Sequence, residues 1–232
     1  MKKIEIFSIK FDNLTMEEAL EKIHGFVVLP YSEFIVRAQK DKGFKEILNG
    51  ADFCLCESRG LYLVAKFVGK PLKSNICGVE LITALNKKLK IKNLKLFLYG
   101  ATANVVKRVA DNFGETVIGF EHGYQEEAGV IDKINLLKPD VLLVGLGSPK
   151  QEEFIYRHLK DMPSVKLAIG VGGAFDFISG RIKRAPAPMQ KAGLEWLWRF
   201  LLEPSRIKRI YTGVLWLIFL ALKEKIKTRL AL

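Results

Sequence analysis

The chain has 232 residues, 49% of them hydrophobic and 27% charged, with a formal net charge of +12. That length suits one large domain or a core with an appendage, and it is ample for a hydrophobic core. Three cysteines, Cys54, Cys56 and Cys77, argue against a disulfide framework, and no zinc spacing is present, so a reducing cytoplasm is the expected compartment.

The N-terminus, MKKIEIFSIKFDN, lacks the long apolar run of a signal peptide. Residues 3–8 alternate loosely and predict an edge strand. Thr15 with Glu18 is a capping-box pattern opening a helix to about Val27. A strand is expected over 34–38, a short helix over 41–48, and a strand over 52–56 with Cys54 and Cys56 on one face as small core residues. A helical run, LYLVAKFVG, follows Gly60, and another helix spans 79–89. From there strands and helices alternate: strands at 94–99, 116–119, 141–146 and 165–171, helices at 102–113, 128–137 and 149–159. Such repeating units predict a Rossmann-like α/β domain, a mostly parallel sheet with helices on both faces. The basic, Pro-rich RIKRAPAP (181–188) marks a boundary. The expected division is a core over 1–185 and a helical appendage over 186–232, with helices at 189–203 and from 205 onward.

The positive charge sits in that tail. From Arg181 onward twelve Lys or Arg face three acids, a surplus of nine out of the net +12. Its longest apolar stretch, GVLWLIFLAL (213–222), is about half of the ~20 residues a membrane span needs. Basic residues flank this block, and Trp196, Trp198, Tyr211 and Trp216 add interfacial aromatics. The expectation is a segment lying in the headgroup zone of an anionic leaflet without spanning it. The alternative is a helix packed on the core or on another subunit.

The stretch PDVLLVGLGSPKQEE (139–153) runs from a buried strand straight into a helix. Ser148 suits the cap, Pro149 the first helical position, and Gln151 the third residue after the cap. Three strand-end loops carry glycines, at 99–102, 145–148 and 170–173. None is a GxGxxG fingerprint or a P-loop, so a nucleotide or nucleotide-sugar cleft built across several loops is favoured over a nicotinamide site. No Asp-x-Asp pair occurs to hold a divalent metal on a diphosphate. In a transferase the leaving diphosphate then needs other cations, and Arg199, Arg206 and Arg209 are the candidates. They are equally placed to serve as surface charges for lipid phosphates. His24 and His158 fall on predicted helices as structural residues, whereas His122 stands in a strand-end loop as a site candidate. Glu57 and Asp176, at strand carboxyl ends, suit either general base work or helix capping.

GLGSPKQE (145–152), IGVGGAFDFISGRIKRAP (169–186) and GLEWLWRFLLEPSRIKR (193–209) closely resemble the WecG/TagA/CpsF family of bacterial glycosyltransferases. GATANVVKRVADNF (100–113) and GFEHGY (119–124) also match. The resemblance covers nearly the whole chain. It implies a GT-E type fold and inverting, metal-independent transfer of a sugar, typically N-acetylmannosamine from its UDP form. The implied acceptor is polyprenyl-diphosphate-linked N-acetylglucosamine, in teichoic acid or other surface-polysaccharide synthesis, at the cytoplasmic face of the plasma membrane. It makes Glu57, Gln151, Arg206 and Arg209 catalytic. Gly100, Thr102, Tyr124, Gly147, Ser148, Lys150, Gly172, Asp176 and Arg199 become substrate-binding. No cofactor or metal is implied; the partners are the UDP-sugar, the lipid-linked acceptor and an anionic inner leaflet. Nucleic acid is not expected, and a homo-oligomer stays open. The first half departs from the family pattern: Cys56-Glu57-Ser58 stands where Pro-Asp-Gly is usual, Leu29-Pro30-Tyr31 where a Thr-x-Asn type motif is, and Asn75 where an Arg is common. These departures are expected to fall together on the sugar-reading part of the cleft. Two alternatives remain: a different UDP-sugar donor, hexose or uronate, and a non-catalytic scaffold that binds UDP-sugar or lipid diphosphate.

Overall fold

The computed structural model describes residues 3–192, 194–202 and 207–230. Strands β1 (Lys3–Ile6) and β2 (Ile9–Asp12) form an antiparallel hairpin. Then come α1 (Met16–Lys22), β3 (Gly25–Val28), α2 (Ser32–Lys40), α3 (Lys42–Gly50), β4 (Phe53–Cys54), α4 (Arg59–Phe67) and α5 (Gly78–Lys92). The regular half holds β5 (Leu96–Gly100), α6 (Ala103–Phe113), β6 (Val117–Glu121), α7 (Glu127–Leu137), β7 (Val141–Gly145), α8 (Lys150–His158), β8 (Leu167–Gly170) and α9 (Ala174–Ile178). The tail forms α10 (Ala187–Ala192), α11 (Glu195–Leu202) and α12 (Ile207–Leu230).

Six strands pair in parallel in the order β4-β3-β8-β7-β5-β6, the Rossmann-like architecture expected. Strand residues alternate between two cores because successive side chains leave opposite faces of a sheet. Phe97, Tyr99, Leu142 and Val144 enter the core under α2, α3, α4, α7 and α8. Leu96, Leu98, Val141 and Leu143 enter the one under α1, α5, α6 and α9. The hairpin covers the β4 edge, where the buried Asp12 carboxylate accepts from the Cys54 N–H at 2.9 Å and pairs with Lys3 at 3.3 Å.

Three local expectations change, the first in the tail, where the one helix expected over 189–203 is two, α10 and α11. Residues 32–40 are helix α2, not a strand over 34–38. Phe34, Ile35 and Ala38 recur at helical spacing and are the residues this helix buries. The capping box at Thr15 and Glu18 is present, but α1 ends at Lys22 instead of reaching Val27. The next residues, Phe26, Val27 and Val28, are buried on both faces, and that β-branched, apolar run pairs with β8 and β4 as β3.

The tail returns to the core. Leu217 and Ala221 of α12 are buried within the core that includes α2 and α4. Lys70 pairs with Glu224 at 2.9 Å, and Lys225 Nζ donates to the Phe67 carbonyl at 3.1 Å. No helix among the described residues is long and apolar enough to cross a membrane.

Candidate active site

Because all six strands run the same way, their carboxyl ends share one edge. Along it stand Glu57 after β4, Leu29 to Tyr31 after β3, Gly172 after β8, Gly147 and Ser148 after β7, Gly100 to Thr102 after β5, and Tyr124 after β6. Helices α6 and α8 leave β5 and β7 toward opposite faces, and α2 and α9 do the same from β3 and β8. Loops that part in this way open crevices, the usual ligand position in an open α/β sheet.

In the β5–β7 crevice the two loops touch. Gly100 has φ +130°, and a Cβ there would run into the Gly145 carbonyl, so only glycine fits. Ala101 N–H donates to the Gly145 carbonyl at 3.0 Å, and Gly123 N–H to the Ala101 carbonyl at 2.9 Å. Thr102 caps α6 through the Val105 N–H, and the positive ends of α6 and α8 face this edge. Tyr124 is 79% exposed on its loop, with its N–H on His122 Nδ1 at 3.3 Å. Lys150 is exposed at the start of α8, and Asp176 on α9 is paired with Arg181 at 2.8 Å.

Between the β3 and β8 loops lies a cleft of about 130 Å³. It brings together Glu57, Gly147, Ser148, Gln151 and Gly172, all singled out from the sequence; Gly100, Thr102, Tyr124, Lys150 and Asp176 lie outside its lining. Leu29 and Tyr31 line it too, and Asn75 Nδ2 donates to the Glu57 carbonyl at 3.4 Å. The three departures from the family pattern thus meet at the Glu57 carboxylate and its backbone. Glu57 N–H donates to the Pro30 carbonyl at 3.0 Å, fixing the backbone. Its Oε1 lies over Gly78 at the start of α5, where a Cβ would meet it at 2.9 Å. Gly78 therefore makes room for the longer carboxyl arm.

Gln151 is 2% exposed and joins the two loops. Its Oε1 accepts from the Gly147 N–H at 3.2 Å and the Gly172 N–H at 2.9 Å, while Nε2 donates to Glu152 Oε1 at 2.6 Å. The expected capping by Ser148 is not found: Pro149 holds the N-cap position of α8, without a side-chain cap, and the Ser148–Pro149 peptide is cis. The Gln151 side chain is turned back to the loops instead of standing in a capping box.

Glu152 is fully buried, and its Oε2 has no hydrogen-bond partner among the described residues. Burial pushes this carboxyl up to about 7; the Gln151 amide and the nearby Ser148 hydroxyl work against that rise. The motif GLGSPKQE (145–152) ends on Glu152 without marking a role for it, although it stands three residues before buried Ile155 and therefore on the inward side of α8. Val79 and Phe177 close the cleft; Phe177 lies within the motif at 169–186, whereas Val79 carries no sequence signal beyond apolarity. Cys56, beside Glu57, is a buried thiol pushed up to about 12, first by burial and then by the Glu57 charge, which leaves it unreactive.

Arg206 lies outside the described residues. Arg199 and Arg209 stand on α11 and α12, with their side chains outside the described set. Among the described residues no group of three or more His, Cys, Asp or Glu is arranged to hold a metal ion.

Residues 4–231 match the model of the family described as "Glycosyl transferase WecG/TagA/CpsF family". The chain is 37% identical over 192 residues to N-acetylglucosaminyldiphosphoundecaprenol N-acetyl-beta-D-mannosaminyltransferase of Bacillus spizizenii, covering 80% of this chain and 74% of that protein. It is 31% identical over 242 aligned positions to the Staphylococcus aureus protein of the same name, covering 97% and 95%.

Proposed function

Because the chain belongs to the WecG/TagA/CpsF family of glycosyl transferases, we propose that it moves N-acetylmannosamine from a UDP-sugar to polyprenyl-diphosphate-linked N-acetylglucosamine. The observation that carries this reading is the carboxylate of Glu57 in a cleft shared with the loop residues Gly147, Ser148 and Gly172. The names of the relatives supply the sugars.

Glu57 takes the proton from the acceptor hydroxyl. The oxygen forms a bond to the anomeric carbon from the face opposite UDP, the bond from that carbon to the phosphate oxygen breaks, and UDP departs with the electron pair. The configuration inverts. The developing diphosphate charge is met by the positive ends of α6 and α8 and by the guanidinium groups of Arg206 and Arg209, with Arg199 in support. With the charge so met, no metal is needed, and UDP release should proceed at full rate in excess EDTA. The protein works on the anionic inner leaflet. Exposed apolar side chains on α12 and α4, including Trp216, Phe219, Leu63 and Phe67, support this docking, with Lys40 Nζ 4.6 Å from the Trp216 ring centroid and Lys225 Nζ 5.5 Å from that of Phe67.

Glu57→Gln should lower transfer by about 10²–10⁴-fold, the range for losing a general base, while UDP affinity stays within twofold. A variant that transfers at the wild-type rate removes Glu57 from the chemistry. A second reading keeps the reaction and changes the donor. Leu29, Tyr31 and Glu57 line the cleft and Asn75 donates to the Glu57 carbonyl, and this cluster of departures from the family pattern is the ground for a UDP-hexose or UDP-uronate as donor instead. A UDP-release screen across UDP-sugars with a short-chain acceptor separates the two.

A further inference from the structure

A second cavity, about 420 Å³, opens beside the cleft and is lined by residues of α2, by Asp41 and Ser148, and by Gly213 on α12. Tyr31, Phe34 and Ser148 belong to both linings, so the two hollows form one trough with a waist. The smaller hollow, at about 130 Å³, cannot hold two sugars and a diphosphate at once, since ligand sites run to roughly 300–1,000 Å³. Reaction requires the acceptor oxygen within about 3–3.5 Å of the donor carbon. On the glycosyl-transfer reading the UDP-sugar occupies the crevices that run along the sheet edge from the cleft toward β6. The acceptor must therefore reach Glu57 by another way, and the trough supplies one.

Its chemistry changes along its length in the order a lipid-linked sugar would require. At the waist the Tyr31 and Phe34 rings stand 4.8 Å apart, tilted 58° to each other, and with Phe34 buried the half-buried Tyr31 ring is the aromatic face left open to a sugar. One turn along α2, Arg37 and Lys40 line the wide part, both exposed and neither in a salt bridge among the described residues. The carboxylate of Asp41 is engaged in capping α3, accepting from the Phe44 N–H at 2.9 Å, and Glu33 packs with its Cγ against Gly213. The cations are held by rings instead. Arg37 lies 5.7 Å from the Phe44 ring centroid, and Lys40 Nζ lies 4.6 Å from that of Trp216. Trp216 then begins the exposed apolar side of α12, which continues through Phe219 and Leu222.

We propose that this cavity is the acceptor subsite: the acceptor diphosphate sits on Arg37 and Lys40, its sugar passes Tyr31 and Phe34 to Glu57, and its isoprenoid chain leaves over Trp216. The assignment rests on the glycosyl-transfer reading for the identity of the ligand. A cation pair on one helix face, three residues apart, suits a diphosphate. The lysine at the boundary between the cavity and the apolar side also marks how deep the protein sits in the leaflet.

The test is equilibrium binding with the full-length protein in neutral detergent micelles, one titration with a short-chain polyprenyl-diphosphate N-acetylglucosamine and one with UDP. Arg37→Gln and Lys40→Gln should each weaken the lipid-linked sugar about tenfold and leave UDP within twofold, while Lys107→Gln, on α6 across the sheet, changes neither. Unchanged lipid affinity in both variants overturns the assignment. So does a parallel loss of UDP affinity, which would place the two cations on the donor, and so does an equal loss in Lys107→Gln, which would mean attraction by net charge alone. UDP release by the wild type is measured in the same preparation. A protein that binds both ligands with the expected variant pattern yet never releases UDP leaves the subsite standing and removes the transferase reading.

Discussion

Gln151 and Glu152 show how adjacent residues on one helix take unlike duties. The Gln151 amide holds two strand-end loops in register, and Glu152 orients that amide from below. Gln151→Leu leaves the Gly147 and Gly172 N–H groups without their acceptor. Each such loss costs about 1–3 kcal/mol, so urea unfolding should show a drop of about 2–6 kcal/mol for the two together, and UDP affinity should fall with it. For Glu152 the fold favours the acid form, whose ordinary value is 4.5 and whose folded value is about 7. Its contribution to stability is complete below about 4.5 and is lost as pH rises through 7, each tenfold change in proton affinity being worth about 1.4 kcal/mol. Glu152→Gln keeps the oxygen that accepts from Gln151 and removes the titration. Relative to wild type, its thermal midpoint should therefore gain between pH 4.5 and 7 and hold a constant advantage above that. Parallel midpoints across that range would show that Glu152 is not titrating there.

Elements are legible where local signals agree. The segment from β7 to α8 is apolar run, glycine turn and helix in immediate succession, and the sequence marks it nearly to its boundaries. Helix α2 misleads because Phe34, Ile35 and Val36 look like a strand in isolation. Packing against α3 and α12 favours the helix, and propensity yields to burial. Strand β3 is hidden for a related reason: its apolar run follows α1 so closely that the helical pattern continues through it. At the β5–α6 turn two substitutions separate backbone geometry from capping. Thr102→Ala should cost about 1 kcal/mol, the usual value of a lost N-cap. Gly100→Ala should cost clearly more, because it combines a positive φ with a collision at the Gly145 carbonyl. Urea midpoints for the pair check the order.

At the scale of the molecule, α12 lies across α2 and α4 with Leu217 and Ala221 inward and Leu215, Trp216, Phe219 and Leu222 outward. The tail therefore helps build the wall of the wide cavity at Gly213 while presenting an apolar surface. A chain ended near residue 190 should lose cosedimentation with anionic vesicles, and its transfer to a lipid-linked acceptor should drop by at least tenfold. A truncated chain that keeps full transfer would reduce the tail to an anchor.

The sequence alone determined the α/β alternation, the sheet class, the carboxyl-edge loops and the basic, aromatic tail, because periodicity, caps and charge are local properties of the chain. It also marked Leu29, Tyr31, Glu57 and Asn75 as unusual by their departure from a family pattern. Only the tertiary structure decided that Gln151 spans to Gly172, that the Glu57 carboxyl rests over Gly78, and that α2 and α12 enclose a cavity next to the cleft. Those neighbours are set by the strand order β4-β3-β8-β7-β5-β6, which places distant residues side by side, and that order follows from how the helices cover two faces of one sheet rather than from any short stretch of sequence.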